Sequence, residues 1–269
     1  MSAEGNLALF CDFENIALGV RDAKYAKFDI QLVLERLLVK GSIVTKKAYC
    51  DWDRYKQFKP VMHEAAFELI EIPHVSLSGK NSADIRMVVD ALDLCYTKEH
   101  IDTFVIISGD SDFSPLVSKL RENAKTVIGV GVKNSTSDLL IANCDEFIYY
   151  DDLVAKPVPA IQKTRKTTAG SRKTAKKKKT NADPGQEAID LVVDTTEALY
   201  SERGDRSKLW GSMIKQTLKR RRPQFNESYY GFSSFNDLLE EAQARGLIEL
   251  EMDERSGGYI VRSISRKSR

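Results

Sequence analysis

The chain has no apolar run near the ~20 residues a membrane-spanning helix requires, which sets membrane proteins aside. Cysteine is sparse. The four residues Cys11, Cys50, Cys95 and Cys144 stand far apart with no CxxC pair. This argues against a zinc ribbon or a disulfide framework, and three of them sit in apolar stretches, where free Cys packs as a small hydrophobe. Histidine is rarer still: His63, His74 and His100 are too scattered for a His-based catalyst. The N-terminal MSAEGNLALF lacks the basic start and apolar stretch of a secretory signal, so a cytoplasmic location is expected.

What remains is a chain of 269 residues, 42% hydrophobic and 30% charged, as expected of globular domains. Its net charge of +2 conceals an asymmetry. Residues 1–155 carry 17 basic and 24 acidic side chains, a net of −7. Residues 156–184 carry 10 basic and 1 acidic, a net of +9, and residues 185–269 are balanced at 14 of each. Three regions follow: a domain over 1–155, a basic flexible linker over 156–185, and a second domain over 186–269. The linker is rich in Lys, Thr, Ala and Pro and has too few large apolar residues to offset ordering entropy. Its KKKK run (176–179) is either a solvated spacer or a non-specific phosphate contact.

In the first region apolar strands alternate with helical patterns. Strands are predicted over 7–11, 42–50, 103–108, 126–132 and 146–150, with another inside 68–77. Helices are predicted over 28–39, 54–70, 82–96, 114–123 and 137–144, with Pro60 starting or kinking the second. In 82–96, Ile85, Val88, Val89 and Leu92 form one apolar stripe. The alternation implies an α/β fold, a mostly parallel sheet with helices on both faces. The last region reads as helices over 186–202, 207–225 and 233–252, the third running into a strand, and a final strand over 255–263. Three helices and a two-stranded wing describe a small winged-helix domain.

Ligands of open parallel sheets bind outside the carboxyl ends of the strands. Asp12 directly follows the strand LALFC, and Asp110 and Asp112 follow TFVIIS in the turn SGDSDF. Asp84 opens a helix. Carboxylates gathered there raise one another's pKa unless a cation compensates. Hard divalent cations, Mg²⁺ or Mn²⁺, take oxygen ligands and can orient a phosphodiester and activate water. Ser108 and Ser111 can orient the carboxylates, and Ser114 can cap the following helix. Asn15 either contacts a phosphate or carboxylate or forms a local turn. Asp12 and Asp84 have ordinary roles open to them as turn formers or helix caps. The pair Asp110 and Asp112 is harder to explain without a ligand. Asp90 and Asp93 are placed on a solvated helix face.

At these residues the sequence resembles the NYN family, a branch of the PIN-like (Rossmannoid) nuclease fold. The segments that carry the resemblance are ALFCDFENI (8–16), SADIRMVVDAL (82–92), FVIISGDSDFSPLVSKLRENAKTVIGVGV (104–132) and SDLLIANCDEFIYYDDL (137–153). It implies a metal-dependent ribonuclease with Asp12, Asn15, Asp84, Asp110 and Asp112 as catalytic residues, the four aspartates holding Mg²⁺ or Mn²⁺. The C-terminal region, through SKLWGSMIKQTLKRRRPQFNESYYGFSSFNDLLEEAQARGLIEL (207–250), resembles the LOTUS (OST-HTH) domain, a winged helix associated with RNA binding. Lys215, Lys219, Arg220, Arg221, Arg222, Tyr229 and Tyr230 would contact RNA through charge and stacking. Arg220–Arg222 could instead stabilise a helix C-terminus. Trp210, Phe232, Phe235 and Leu238 are assigned to the core. The expected partner is RNA, single-stranded or structured, with no membrane; a homodimer is a further option. The competing reading is a catalytically silent RNA-binding adaptor. A phospho-aspartyl phosphatase fits less well, because Asp12 has no second Asp two residues on.

Overall fold

A computed structural model describes residues 5–72, 82–154, 184–203, 208–253 and 257–264. The chain opens on β1 (Gly5–Asp12), whose last six residues are all buried. It enters α1 (Phe13–Asp22), then α2 (Ile30–Leu38) and β2 (Gly41–Cys50). A short 3₁₀ turn (Lys56–Phe58) leads into α3 (Lys59–Glu64) and β3 (Glu68–Glu71). There follow α4 (Ser82–Thr97), β4 (Thr103–Ile107), α5 (Ser114–Glu122), β5 (Thr126–Gly131), α6 (Asp138–Asn143), β6 (Glu146–Tyr149) and α7 (Tyr150–Val154).

The six strands form one parallel sheet in the order β3-β2-β1-β4-β5-β6. Both faces are covered, and the two central strands show why. Leu7, Leu9 and Cys11 of β1 and Val105 and Ile107 of β4 enter one core with α1 and α2. Ala8, Phe10, Phe104 and Ile106 enter the other with α4, α5 and α6. A strand buried on both sides reads as an unbroken apolar run, as LALFC and TFVII do. The chain winds outward from β1 to β3, then returns to place β4 on the other side of β1. The crevice at this reversal, between the carboxyl ends of β1 and β4, is where such folds bind ligands.

The second unit contains α8 (Pro184–Arg203), β7 (Leu209–Trp210), α9 (Gly211–Arg221), α10 (Phe235–Ala244), β8 (Ile248–Met252) and β9 (Tyr259–Ile264). Its strands form an antiparallel sheet ordered β7-β9-β8. Ala188, Ile189 and Val192 of α8, Ile214 and Leu218 of α9, and Leu238 and Leu239 of α10 share one core. Three helices backed by this sheet are a winged helix. The basic segment 156–185 lies outside the described residues except for its last two positions, which begin α8.

Several local expectations are corrected. The helix expected over 54–70 breaks: Pro60 stands in the first turn of α3, and Ala66 adopts a φ of 56°, turning the chain into β3. The helix expected from 207 starts only at Gly211, because Leu209 and Trp210 pair with Val261 and Ile260. The segment FENIALGVRD, which carries no helix in the sequence reading, is α1. The stripe of α4 holds in part, Val88 and Leu92 packing against the core as expected. Met87, Ala91 and Cys95 face the core, while Ile85 and Val89 are 62% and 55% exposed. Asp90 is not solvated: it accepts from Tyr49 Oη at 2.9 Å and Arg86 Nε at 3.0 Å, and pairs with Lys47 Nζ at 3.3 Å. Asp93 is exposed as expected.

Candidate active site

Asp12 ends β1 and caps α1, its Oδ1 accepting from the Asn15 backbone N–H at 3.3 Å. A carboxylate here satisfies an otherwise unpaired N–H of the helix's first turn. Its other oxygen, Oδ2, accepts from Ser108 Oγ at 3.0 Å, across the β1–β4 crevice. Ser108 is fully buried, and its Oγ also accepts from the Asp110 N–H at 3.2 Å. Asn15 closes a second bridge, its Oδ1 accepting from the Gly109 N–H at 2.9 Å. The turn after β4 is therefore fastened twice to the start of α1. Gly109 is required there, since a Cβ would lie 2.4 Å from the Ser135 carbonyl oxygen.

Asp110 caps the 3₁₀ turn Ser111–Phe113, Oδ1 accepting from the Asp112 N–H at 2.9 Å. Asp110 and Asp112 remain open to solvent at one side, whereas Asp12 is only 9% exposed. Burial raises the Asp12 carboxyl, the negative charges of Asp84 and Asp110 add to that, and the bonds from Asn15 and Ser108 oppose it; the balance lies at about 7. Asp84, half-buried in the first turn of α4, is also raised, first by burial and then by the charges of Asp110, Asp112 and Glu14. The four aspartates thus feel one another, as carboxylates brought to one strand edge must. Ser114 does not cap α5; its Oγ is buried without a hydrogen-bond partner.

Sequence reading missed Glu14. It stands in the first turn of α1, half-exposed, bonded to Arg54 Nη1 at 3.2 Å, and close enough to raise Asp84. Its place two residues after Asp12 in DFEN was the available signal. The acidic edge offers hard oxygen donors suited to Mg²⁺ or Mn²⁺. Among the described residues, no three His, Cys, Asp or Glu side chains are gathered closely enough to hold a metal ion by themselves. The donor chemistry still fits Mg²⁺, which is commonly held by one or two carboxylates with waters and substrate phosphates completing its shell. The cysteines are apart from this chemistry: all four are buried free thiols, and burial raises the pKa of each.

In the second unit the residues proposed to touch RNA divide. Lys215 Nζ bonds Glu227 Oε1 at 2.6 Å and lies 5.7 Å from the centre of the Phe235 ring. Burial is the largest influence and would raise Glu227, but the Lys215 bond, a backbone hydrogen bond and the charges of Lys215 and Lys219 together hold the carboxyl below its ordinary value. Tyr230 stacks on Phe225 with ring centres 5.5 Å apart, at the edge of the core. Lys219 is half-buried in the last turn of α9, while Arg220, Arg221, Arg222 and Tyr229 are exposed.

Residues 6–153 match the NYN domain family. The chain is 25% identical over 155 residues to Meiosis regulator and mRNA stability factor 1 of Xenopus tropicalis, covering 58% of this chain and 9% of that protein. It is 28% identical over 137 residues to an uncharacterised protein of Methanocaldococcus jannaschii, covering 51% of this chain and 52% of the other. It thus spans about half, or far less, of these relatives. A crystal structure of a Vibrio parahaemolyticus protein of unknown function superposes with a TM-score of 0.51 at 26% identity, covering 57% of this chain and 97% of that one.

Proposed function

The chain belongs to the NYN domain family, and from that premise we propose that its N-terminal unit is a metal-dependent endoribonuclease and its C-terminal unit an RNA-binding winged helix of LOTUS type. The observation that carries the reading is the Asp12–Ser108–Asp110 bridge at the β1–β4 crevice, with Asp84 electrostatically coupled to it. The printed name of the amphibian relative, an mRNA stability factor, supports RNA as the substrate class.

Asp12, Asp110 and Asp112 would hold Mg²⁺ or Mn²⁺, with Asp84 completing the site and with waters and substrate phosphate supplying the ligands that carboxylates not gathered closely enough leave open. The ion would neutralise the carboxylates, polarise the scissile phosphate and lower the pKa of water at the site. The chain's own residues supply position. Ser108 fixes one oxygen of Asp12, so the carboxylate meets its ligand in a set orientation. Asn15 secures Gly109 and thereby the turn that presents Asp110 and Asp112. Arg220–Arg222 and Tyr229 would hold RNA by backbone charge and stacking, supported by their exposure. Lys215 acts instead through Glu227, and Tyr230 through Phe225, as supports of that surface.

The competing reading, a silent RNA-binding adaptor, draws on the lack of three gathered ligands among the described residues. One assay separates the two. Labelled single-stranded RNA, duplex RNA and DNA are incubated with the full chain and Mg²⁺ or Mn²⁺, beside Asp110→Asn. The expected result is RNA cleavage that EDTA abolishes and Asp110→Asn lowers by about 100-fold or more. Intact substrates throughout would leave the adaptor reading standing.

A further inference from the structure

A cleft of about 300 Å³ opens beside the acidic edge, between α1, the segment 25–28 and the 3₁₀ turn after β2. That volume lies within the range of small-ligand sites. Four aromatic rings line it, Tyr25, Phe28, Tyr55 and Phe58. Its lining carries two cations, Arg21 and Lys27, and no acid, within a unit whose net charge is −7. Lys27 Nζ sits 5.4 Å from the centre of the Phe58 ring, and Arg21 meets Asp22 in an exposed pair of little energetic weight.

The cleft lies near the acidic edge: burial first, and then the charge of Glu14, raise the phenol of Tyr55 in its lining. Phe13, the residue after Asp12, is fully buried and packs against the cleft's own rings, 5.0 Å from Phe58, 5.7 Å from Tyr55 and 6.0 Å from Phe28 between ring centres. Aromatic faces with adjacent cations suit an unpaired base and its phosphate. A duplex cannot present a base to such a recess without unstacking it.

We propose that this cleft is a nucleotide subsite that takes one unpaired base of a single-stranded RNA whose backbone runs across Asp12, with Lys27 and Arg21 facing its phosphate. The proposal rests on the nuclease reading for the polarity of the substrate path, but the base-binding step itself needs no metal and no cleavage.

The test is photo-crosslinking of single-stranded RNA carrying 4-thiouridine to the full chain in EDTA, with crosslinked peptides mapped by mass spectrometry. Crosslinks are expected within 17–28 and 55–58. Leu18→Trp, which fills the recess, should reduce them at least fivefold while crosslinks to the C-terminal unit persist. Should Leu18→Trp melt early, the exposed pair Lys27→Ala with Gln57→Ala replaces it, with a reduction of at least threefold expected. Crosslinks confined to other segments, or undiminished by either folded variant, overturn the subsite. Cleavage dependent on Asp110 without crosslinks in these segments overturns the subsite and leaves the nuclease standing. Crosslinks without any metal-dependent cleavage uphold the subsite and remove the nuclease.

Discussion

The protonation of Asp12 is set by what surrounds its one carboxyl. Burial and two neighbouring carboxylates raise it from an ordinary 3.8 to about 7. A raised carboxyl favours the protonated fold, so its contribution to stability is complete below the ordinary value and is lost as pH rises to about 7. The metal-free protein is therefore expected to lose on the order of 4 kcal/mol of unfolding free energy across that window. Asp12→Asn should remove most of this slope, and Mg²⁺ or Mn²⁺ should restore stability above pH 7 in the wild type. Denaturant titrations at pH 5, 6, 7 and 8 measure it; a slope unchanged in Asp12→Asn would refute the assignment.

Ser108 belongs to the same scale. It donates to Asp12 and accepts from the Asp110 N–H. Ser108→Ala should therefore raise the Asp12 carboxyl further and cut kcat/KM at pH 7 by about tenfold, a hydrogen bond to a charged group being worth about 1.5–3 kcal/mol. A pH–rate profile distinguishes this from simple destabilisation, since the acidic limb must move to higher pH. A uniform fall without a shift would assign Ser108 a packing role alone.

At the scale of the element, the turn after β4 depends on how closely two loops meet. Gly109 has no room for a Cβ, the Ser135 carbonyl oxygen being 2.4 Å from where it would stand. Gly109→Ala should cost about 2–3 kcal/mol by overpacking and shift Asp110 out of register with Asp12. Thermal melts should show the loss, and cleavage should fall more than stability alone explains. An alanine variant as stable and active as wild type would show that the loops yield without consequence. The elements also mark where sequence reading succeeded and failed. LALFC and TFVII were legible as buried strands because both their faces are apolar. By contrast α1 was not, since its start depends on an Asp12 whose capping role could not be told from a catalytic one; the structure shows the cap, together with a bond from Ser108 to the other carboxylate oxygen. The strand Leu209–Trp210 exists through pairing with β9, a partner some fifty residues away, and nothing local in SKLWG announces it. The stripe of α4 was half right because apolar residues spread over more than one face of the helix: Met87, Ala91 and Cys95 enter the core with Val88 and Leu92 packed beside them, and Ile85 and Val89 fall outside it.

For the whole molecule, charge separation is the governing feature. If the acidic unit acts on RNA as proposed, binding must be carried largely by cations outside the acidic edge, such as those of the strongly basic segment that follows. RNA affinity of the full chain in EDTA should fall linearly with the logarithm of salt concentration. Replacing Arg220, Arg221 and Arg222 with Gln should lower that slope by about 3 if each meets one phosphate. Fluorescence anisotropy over a salt series measures it, and an unchanged slope would relocate the binding surface away from α9.

The sequence by itself determined that Asp12, Asp110 and Asp112 would stand at carboxyl ends of buried parallel strands, because apolar runs broken by acids admit few other readings. It also determined the charge map and the presence of two folded regions. Only the tertiary structure decided that β1 and β4 would be neighbours, that one serine would tie Asp12 to the Asp110 turn, and that Asp90 would be spent on Tyr49, Lys47 and Arg86. The physical reason is that a carboxylate's protonation and orientation follow from groups brought close by folding, and those groups lie up to about a hundred residues away along the chain.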